Sequence, residues 1–221
     1  MTRFFDVVFS SIALVLLSPL LLPIILALRL TGEGYVFYAQ ERVGKGGRLF
    51  PLLKFATMLK DSPNIGTGHI TLTNDPRVLP FGRLLRKTKI NELPQLINIF
   101  KGDMSIVGPR PLTQRNFNYY NEAARRQIAQ VCPGLTGVGS IFFRDEERYL
   151  KQQDDPVQFY RDVIAPYKAE LELWYLQHIS LWMYFKLILL TAWVVIFPNS
   201  DAPNQWLKGM PVRPANLSAI H

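Results

Sequence analysis

The sequence predicts an α/β fold that is mostly helical: a small globular domain of short helices with a short β-hairpin, carrying membrane-seeking helices at both ends. Three observations predict it. An apolar run without a charged residue extends from Val7 to Leu28. Two β-branched and aromatic stretches flank a glycine-rich turn between Tyr35 and Met58. Short segments with helical periodicity, punctuated by proline and glycine, follow from Pro80 to His178. The expected organisation is a membrane helix over 1–30, the main domain over 31–180, and an interfacial helix with a C-terminal tail over 181–221.

At about 1.5 Å per residue, the first run is long enough to cross a bilayer core. Pro19 and Pro23 stand near its middle. Each removes a backbone donor and crowds the preceding turn, so a kink or break is expected at Ser18-Pro19. The Ser18 hydroxyl can bond a carbonyl that the kink frees. Arg3 precedes the run, Arg29 closes it, and both flanks lead to basic sequence. Cationic flanks favour the cytoplasmic side, so placing both ends there calls for a re-entrant helix that turns at Ser18-Pro19. Hydropathy alone also admits a plain spanning anchor, the lesser alternative, since prolines are tolerated in spanning helices. A cleaved signal peptide fits less well, because the run exceeds the usual apolar core of about 7–15 residues and no small-x-small site follows. The second apolar stretch, Leu181 to Phe197, contains Lys186 and is marked by Trp182, Tyr184 and Trp193. It reads as a helix in the head-group region, with a buried core helix as the alternative.

Tyr35 to Tyr38 and Leu49 to Met58 read as strands joined by a turn at Gly44-Lys45-Gly46-Gly47. A loop is expected from Gly66 to Pro80, then a short helix through Arg86. In Asn91 to Lys101, Leu93, Leu96, Ile97 and Phe100 share one helical face. Pro94 is tolerated only in a first turn, which sets the helix start near Asn91, and Gly102 supplies the stop. Asn116 to Val131 reads as a helix ended by Cys132-Pro133-Gly134. Asp155 to His178 reads as another, interrupted near Pro166.

A length of 221 residues suits one domain plus a membrane element. The net charge of +8 favours nucleic acid, acidic lipid head groups or phosphorylated small molecules. The single cysteine, Cys132, allows no internal disulfide and fits a reducing compartment. With 48% hydrophobic and 19% charged residues, the chain is not a disordered tail.

A helix start beside Asn91 and Glu92 presents free N–H groups and the positive end of the dipole, a setting for phosphate or a metal-phosphate unit. Arg86, Lys87 and Lys89 lie just upstream and can counter phosphate charge. Arg110, between Pro109 and Pro111, is a guanidinium on a stiff backbone suited to forked phosphate contacts. The same residues also admit structural readings. Asn91 can be an N-cap with Glu92 on the dipole, and Arg110 can sit in an ion pair. Asp103 either binds metal or follows a helix end. His69, His178 and His221 lack metal-ligand spacing. Asp145-Glu146-Glu147 reads as solvated surface. Glycine-rich nucleotide loops and a nucleophile elbow are absent from the sequence.

Together these residues resemble the bacterial sugar transferases, the monotopic phosphoglycosyl transferases. The resemblance runs through Arg3-x-x-Asp6, Ser18-Pro19, Gln40-x-Arg42-Val43-Gly44, Lys54-Phe55 with Met58, and Asn74-Asp75-Pro76-Arg77-Val78. It continues through Arg86-Lys87-Thr88, Glu92-Leu93-Pro94-Gln95-Leu96, Lys101-Gly102-Asp103-Met104-Ser105, Val107-Gly108-Pro109-Arg110-Pro111 and Pro133-Gly134-x-Thr136-Gly137. It implies a re-entrant, non-spanning helix and an active site at the cytoplasmic face of the bacterial inner membrane. It further implies Mg²⁺-dependent transfer of a sugar 1-phosphate from a nucleotide diphosphate sugar, uridine being usual, to polyprenyl phosphate, which starts surface glycan or glycoconjugate synthesis. The implied catalytic and metal-binding positions are Asn91 and Glu92. The implied phosphate and substrate contacts are Arg86, Arg110, Lys54, Arg42, Asp75 and Arg77. Anionic membrane lipid is an expected partner, nucleic acid is not, and a homo-oligomer is compatible with the pattern.

Asn91 stands where the family carries the aspartate that attacks phosphorus. An amide is a poor nucleophile and a poorer Mg²⁺ ligand than a carboxylate. Three explanations stay open: Glu92 as nucleophile in a shifted geometry, direct attack by the lipid phosphate with Glu92 binding metal, or an inactive copy, by natural drift or a deliberate Asp-to-Asn change. A non-catalytic member would bind nucleotide sugar or polyprenyl phosphate as a partner or regulator of an active transferase. Ala56, Gly139-Ser140 and Tyr184 also depart from the family pattern.

Overall fold

The computed structural model describes residues 2–65, 75–151 and 153–218. The expected loop from Gly66 to Pro80 therefore lies largely outside the described residues, as do Asn74, His69 and His221.

Helix α1 runs from Thr2 to Leu30 and continues through Pro19 and Pro23. The expected break at Ser18-Pro19 is thus not a gap in the helix. Proline at position 19 leaves the Val15 carbonyl, one turn back, without its helical donor. The Ser18 hydroxyl donates to that carbonyl at 2.8 Å. One face of α1 stays on the domain from end to end. Near the start, Asp6 is buried and its Oδ1 accepts from the Ser105 hydroxyl at 3.0 Å, the Ile106 amide at 2.8 Å and the Tyr184 hydroxyl at 2.9 Å. In the middle, Ala13, Leu14 and Leu17 pack on a cluster of Phe50, Leu52, Leu96, Ile99 and Met104. Near the end, Ile24 and Leu28 pack on Phe55 and Leu85. The opposite face exposes Val15, Leu16, Leu22 and Leu26.

The expected hairpin forms, but its first strand lies further along the chain than Tyr35 to Tyr38 and its second ends at Phe55, short of Met58. Strand β1, Phe37–Val43, pairs antiparallel with β2, Leu49–Phe55, in register from Phe37 opposite Phe55 to Val43 opposite Leu49. The turn closes because Gly46 and Gly47 adopt φ of 71° and 73°, where a side chain is strained. Phe50 and Leu52 point inward at period two. Helix α2, Pro80–Lys87, leads to a 3-10 turn, Ile90–Glu92, and then to α3, Gln95–Lys101. The predicted apolar stripe on α3 needs correction: Phe100 is exposed, and the buried face is Gln95, Leu96, Asn98 and Ile99. Asn98 is drawn inward because its amide accepts from Leu53 N at 2.9 Å and donates to the Pro51 carbonyl at 2.9 Å, clamping β2. Gly102 stops α3 at φ 100°, and Arg3 caps the same end by donating to the Ile99 and Phe100 carbonyls.

Strands β3, Ser105–Val107, and β4, Gly134–Thr136, form a short parallel pair that sequence periodicity did not reveal. Between them, the single expected helix divides into α4, Gln114–Phe117, and α5, Glu122–Ile128, each with its own side-chain N-cap from Thr113 and Asn121. Then come α6, Val138–Phe142; α7, Glu146–Lys151; and α8, Pro156–Phe159. A π-turn, Tyr160–Ile164, precedes α9, Ala165–Gln177, at the interruption expected near Pro166, which has no amide to continue the ladder. Helix α10, Leu181–Ile196, buries Met183, Tyr184, Leu187, Leu190 and Val194 in the main core and exposes Trp182, Leu189, Val195 and Ile196. The tail folds back through α11, Ala202–Trp206, and α12, Ala215–Ser218, where Leu207 and Leu217 are buried.

Candidate active site

Glu92 closes the 3-10 turn after α2, and the turn is entered through Lys89 at φ 60°, a left-handed conformation uncommon for a side-chain-bearing residue. Strand β2 lies against this turn. Lys54, next to the strand's end, places its ammonium 3.4 Å from Glu92 Oε1, with the two side chains only 20% and 23% exposed. From the paired strand, Arg42 donates to the Pro111 carbonyl at 3.3 Å and to Gln40, while Val43 N donates to the Leu112 carbonyl at 2.9 Å. The hairpin is thereby stitched to the Pro109–Pro111 loop, which presents an exposed Arg110.

The charges settle into a defined pattern. Burial alone would push the Glu92 carboxyl up, but Lys54, Arg110 and Lys89 outweigh it and hold the group at about 2. Burial pushes Lys54 down to about 8; Glu92 opposes that fall, and Arg42 and Arg110 add to it. Arg42 is lowered to about 10 by burial and by Arg110. Glu92 is therefore an ionised acid within a cluster of cations, where phosphate oxygens find partners.

Several sequence expectations are revised here. The α-helix begins at Gln95, not at Asn91, and the Glu92 and Leu93 amides are spent on the Lys89 and Ile90 carbonyls, so they offer no open dipole end. Asn91 is not an N-cap. Its side chain is buried, and its Oδ1 has no hydrogen-bond partner among the described residues. Arg110 forms no side-chain ion pair among the described residues, so its structural reading lapses. Arg86 is half-buried on α2 and makes no ion pair with Glu92. Asp75 and Arg77 are 5% and 3% exposed and bind each other through two bonds of 2.6 and 2.9 Å. Arg77 also donates to the Ser62 and Ile65 carbonyls, which gives this pair a bracing task in its loop. Glu146 is not free in solvent either, since the buried Lys168 ammonium pairs with it. His178 stacks on Trp174, and the described residues contain no cluster of three or more His, Cys, Asp or Glu that could hold a metal.

Among the positions that depart from the family resemblance, Ala56, Tyr184 and Gly139 have defined surroundings. Ala56 is buried where its amide bonds the Val36 carbonyl at 2.9 Å. Tyr184 is one of the three donors to Asp6. Gly139 leaves room for Glu172, whose Oε1 would lie 2.4 Å from a Cβ there. Glu172 was missed in the sequence. The available signal was a lone acid within the apolar stretch Leu171-Glu172-Leu173-Trp174.

An apolar helix long enough to cross a membrane is laid on a small domain, near an acid ringed by cations. The chain belongs to the bacterial sugar transferase family, whose profile matches residues 1–198. It is 38% identical over 161 residues to the exopolysaccharide production protein ExoY of Rhizobium meliloti, covering 66% of this chain and 71% of that protein. It is 37% identical over 194 residues to a UDP-glucose:undecaprenyl-phosphate glucose-1-phosphate transferase of Caulobacter vibrioides, covering 86% and 67%. It is 33% identical over 209 residues to an undecaprenyl-phosphate galactose phosphotransferase of Salmonella typhimurium, covering 88% of this chain but 40% of that longer protein.

Proposed function

We propose that this chain transfers a sugar 1-phosphate from a UDP-sugar to polyprenyl phosphate at the cytoplasmic face of the bacterial inner membrane, as the first step of surface glycan or glycoconjugate assembly. The observation that carries the reading is Glu92, kept ionised by Lys54, Arg110 and Lys89. The names of the Caulobacter and Salmonella relatives, which specify undecaprenyl-phosphate acceptors, support it.

In this reading Arg110 and Lys54 neutralise the donor's phosphates, and Arg42 holds the Arg110 loop in register. The attacking oxygen forms a bond to the sugar-side phosphorus. The bond to the nucleoside phosphate breaks, and its electron pair leaves on nucleoside monophosphate. Asn91 has no ionisable oxygen to serve as the attacking group; in this reading the lipid phosphate attacks directly with Glu92 beside it, and Glu92 as nucleophile is the alternative that an adduct on the parent protein would reveal. Mg²⁺, which the family resemblance implies, would be held by Glu92 with substrate phosphates completing its shell, since Mg²⁺ commonly takes one or two carboxylates; the buried Asn91 Oδ1 is the nearest further oxygen along the chain without a partner among the described residues. When bound, the ion supplies neutralisation of phosphate charge.

Membrane attachment without crossing is supported by α1, whose two ends both rest on the domain while its outer face exposes leucines and valines. A helix passing through the bilayer would carry the docked domain into lipid with it. The exposed Trp182, Leu189 and Ile196 of α10 suit the interface.

A second reading is favoured by Asn91 alone: a non-catalytic family member that binds nucleotide sugar or polyprenyl phosphate and regulates an active transferase. Release of nucleoside monophosphate by purified protein, given several nucleotide sugars and undecaprenyl phosphate, separates the two. Release that vanishes in Glu92→Gln supports the transferase; binding without release supports the regulator.

A further inference from the structure

Behind the Pro109–Pro111 loop lies a buried acid that the proposed mechanism does not use. Glu172 on α9 is 2% exposed. Its Oε1 accepts the Arg110 backbone N–H at 3.3 Å. Its Oε2 is buried without a partner among the described residues. Lys168, one turn earlier on the same helix, is pledged to Glu146 and lies over the Phe143 and Tyr160 rings. A cavity of about 20 Å³, room for a single water, is lined by Glu172, Pro109, Arg110 and Tyr120. Gly139 packs against the carboxylate: a Cβ there would lie 2.4 Å from Glu172 Oε1 as it now stands.

Burying an ionisable group with one oxygen unpartnered among the described residues costs stability. A purely structural partner for one amide could be a neutral side chain. We infer that Glu172 is a positioning residue for the proposed transfer: it fixes the backbone of Arg110 from behind and so sets where the guanidinium meets the donor's phosphates. Two prolines flank Arg110, so the loop has few other ways to adjust, and its amide is the handle through which α9 can hold it. Burial raises the Glu172 carboxyl to about 7, in keeping with a site that no cation pairs directly.

This inference rests on Arg110 holding phosphate. Its test is a double-mutant cycle read as affinity for UDP, measured by titration calorimetry on the full-length purified chain, with thermal unfolding followed in parallel. Glu172→Leu, which deletes the acceptor, is expected to weaken UDP binding about tenfold, within the usual range of couplings between contacting residues. Glu172→Gln keeps an acceptor for the Arg110 amide and is expected to stay within about threefold of the parent. In an Arg110→Ala background, Glu172→Leu is expected to change affinity less than about twofold. A folded Glu172→Leu that binds like the parent, or one that weakens Arg110→Ala by the same tenfold, overturns the inference. Should the leucine variant not fold, Glu172→Asp replaces it in the cycle, with an intermediate loss expected and full parental affinity counting against. If Arg110→Ala itself leaves UDP affinity unchanged, the phosphate-holding reading of Arg110 fails instead, and it fails on a different measurement.

Discussion

The Lys54 ammonium faces Glu92 Oε1 at 3.4 Å across the join between the hairpin and the turn that precedes α3. Because each is only about a fifth exposed, this pair ties the charge state of the candidate site to its shape. Glu92→Gln removes the acid and leaves Lys54 among Arg42 and Arg110 with nothing opposite. Formation of lipid-linked sugar is expected to fall by roughly 10²–10³-fold, the usual cost of removing one group that acts on developing charge. Radiolabelled nucleotide sugar partitioned into organic solvent measures it, and undiminished turnover removes Glu92 from the mechanism.

The same pair gives opposite pH signatures for function and for stability. Glu92 is depressed in the folded state, so its contribution to stability is complete above the unfolded carboxylate range and is lost as pH falls toward about 2. Lys54 is depressed to about 8, so the folded chain binds fewer protons there than the unfolded one between that pH and the ordinary lysine range. Stability from Lys54 therefore improves as pH rises from 8, while phosphate binding weakens because the ammonium loses its charge. A donor affinity that drops above pH 8 while thermal stability does not, with Lys54→Arg abolishing that drop, is the expected pattern. Parallel loss of both contradicts it.

Asp75 and Arg77 supply a contrast. Deleting one member of a buried, hydrogen-bonded pair costs about 3–5 kcal/mol because the other charge is stranded. Arg77→Met is expected to lower the unfolding midpoint sharply while leaving the donor KM of the remaining folded protein unchanged. A folded, stable variant with a raised KM returns Arg77 to the substrate site.

Asp6 joins α1 to both β3 and α10. Tyr184→Phe removes one of its three donors and is expected to cost about 1 kcal/mol. Asp6→Ala strands the Ser105 and Tyr184 hydroxyls and the Ile106 amide together and is expected to cost several times as much, about 3 kcal/mol or more. Thermal unfolding in detergent compares the two, and equal costs would remove Asp6 as the shared anchor.

Local chemistry was the legible part of this chain. The glycine turn at Gly44 to Gly47, the start of α2 at Pro80, the stop at Gly102 and the interruption near Pro166 each follow from backbone restrictions that one or two residues impose. Glu92 and Arg110 stood out in the sequence for the same reason, since proline bounds the surroundings of each, and the structure brings their charges within interaction range. What the sequence hid depends on partners distant along the chain. Asn98 is buried because β2 offers it a carbonyl and an amide, which overrides the apolar stripe ending at Phe100. Strands β3 and β4 have three residues each and pair only when the fold brings them together. The bidentate pairing of Asp75 with Arg77 was hidden as well, because it is a matter of tertiary burial.

Asn91→Asp places a carboxylate where the family resemblance implies one. The variant is expected to gain a phosphosugar adduct, visible as an increase in intact protein mass after incubation with nucleotide sugar alone, while the parent gains none. An adduct on the parent would show that another residue, Glu92 first, carries the group.

The most direct measurement is the mass of undecaprenyl phosphate after incubation with purified protein, divalent cation and a set of UDP-sugars. An increase equal to one sugar phosphate, matched by released UMP and absent in Glu92→Gln, is the predicted result. A lipid whose mass never changes with any donor, while the protein remains folded and bound to membrane, would contradict sugar-phosphate transfer by this chain.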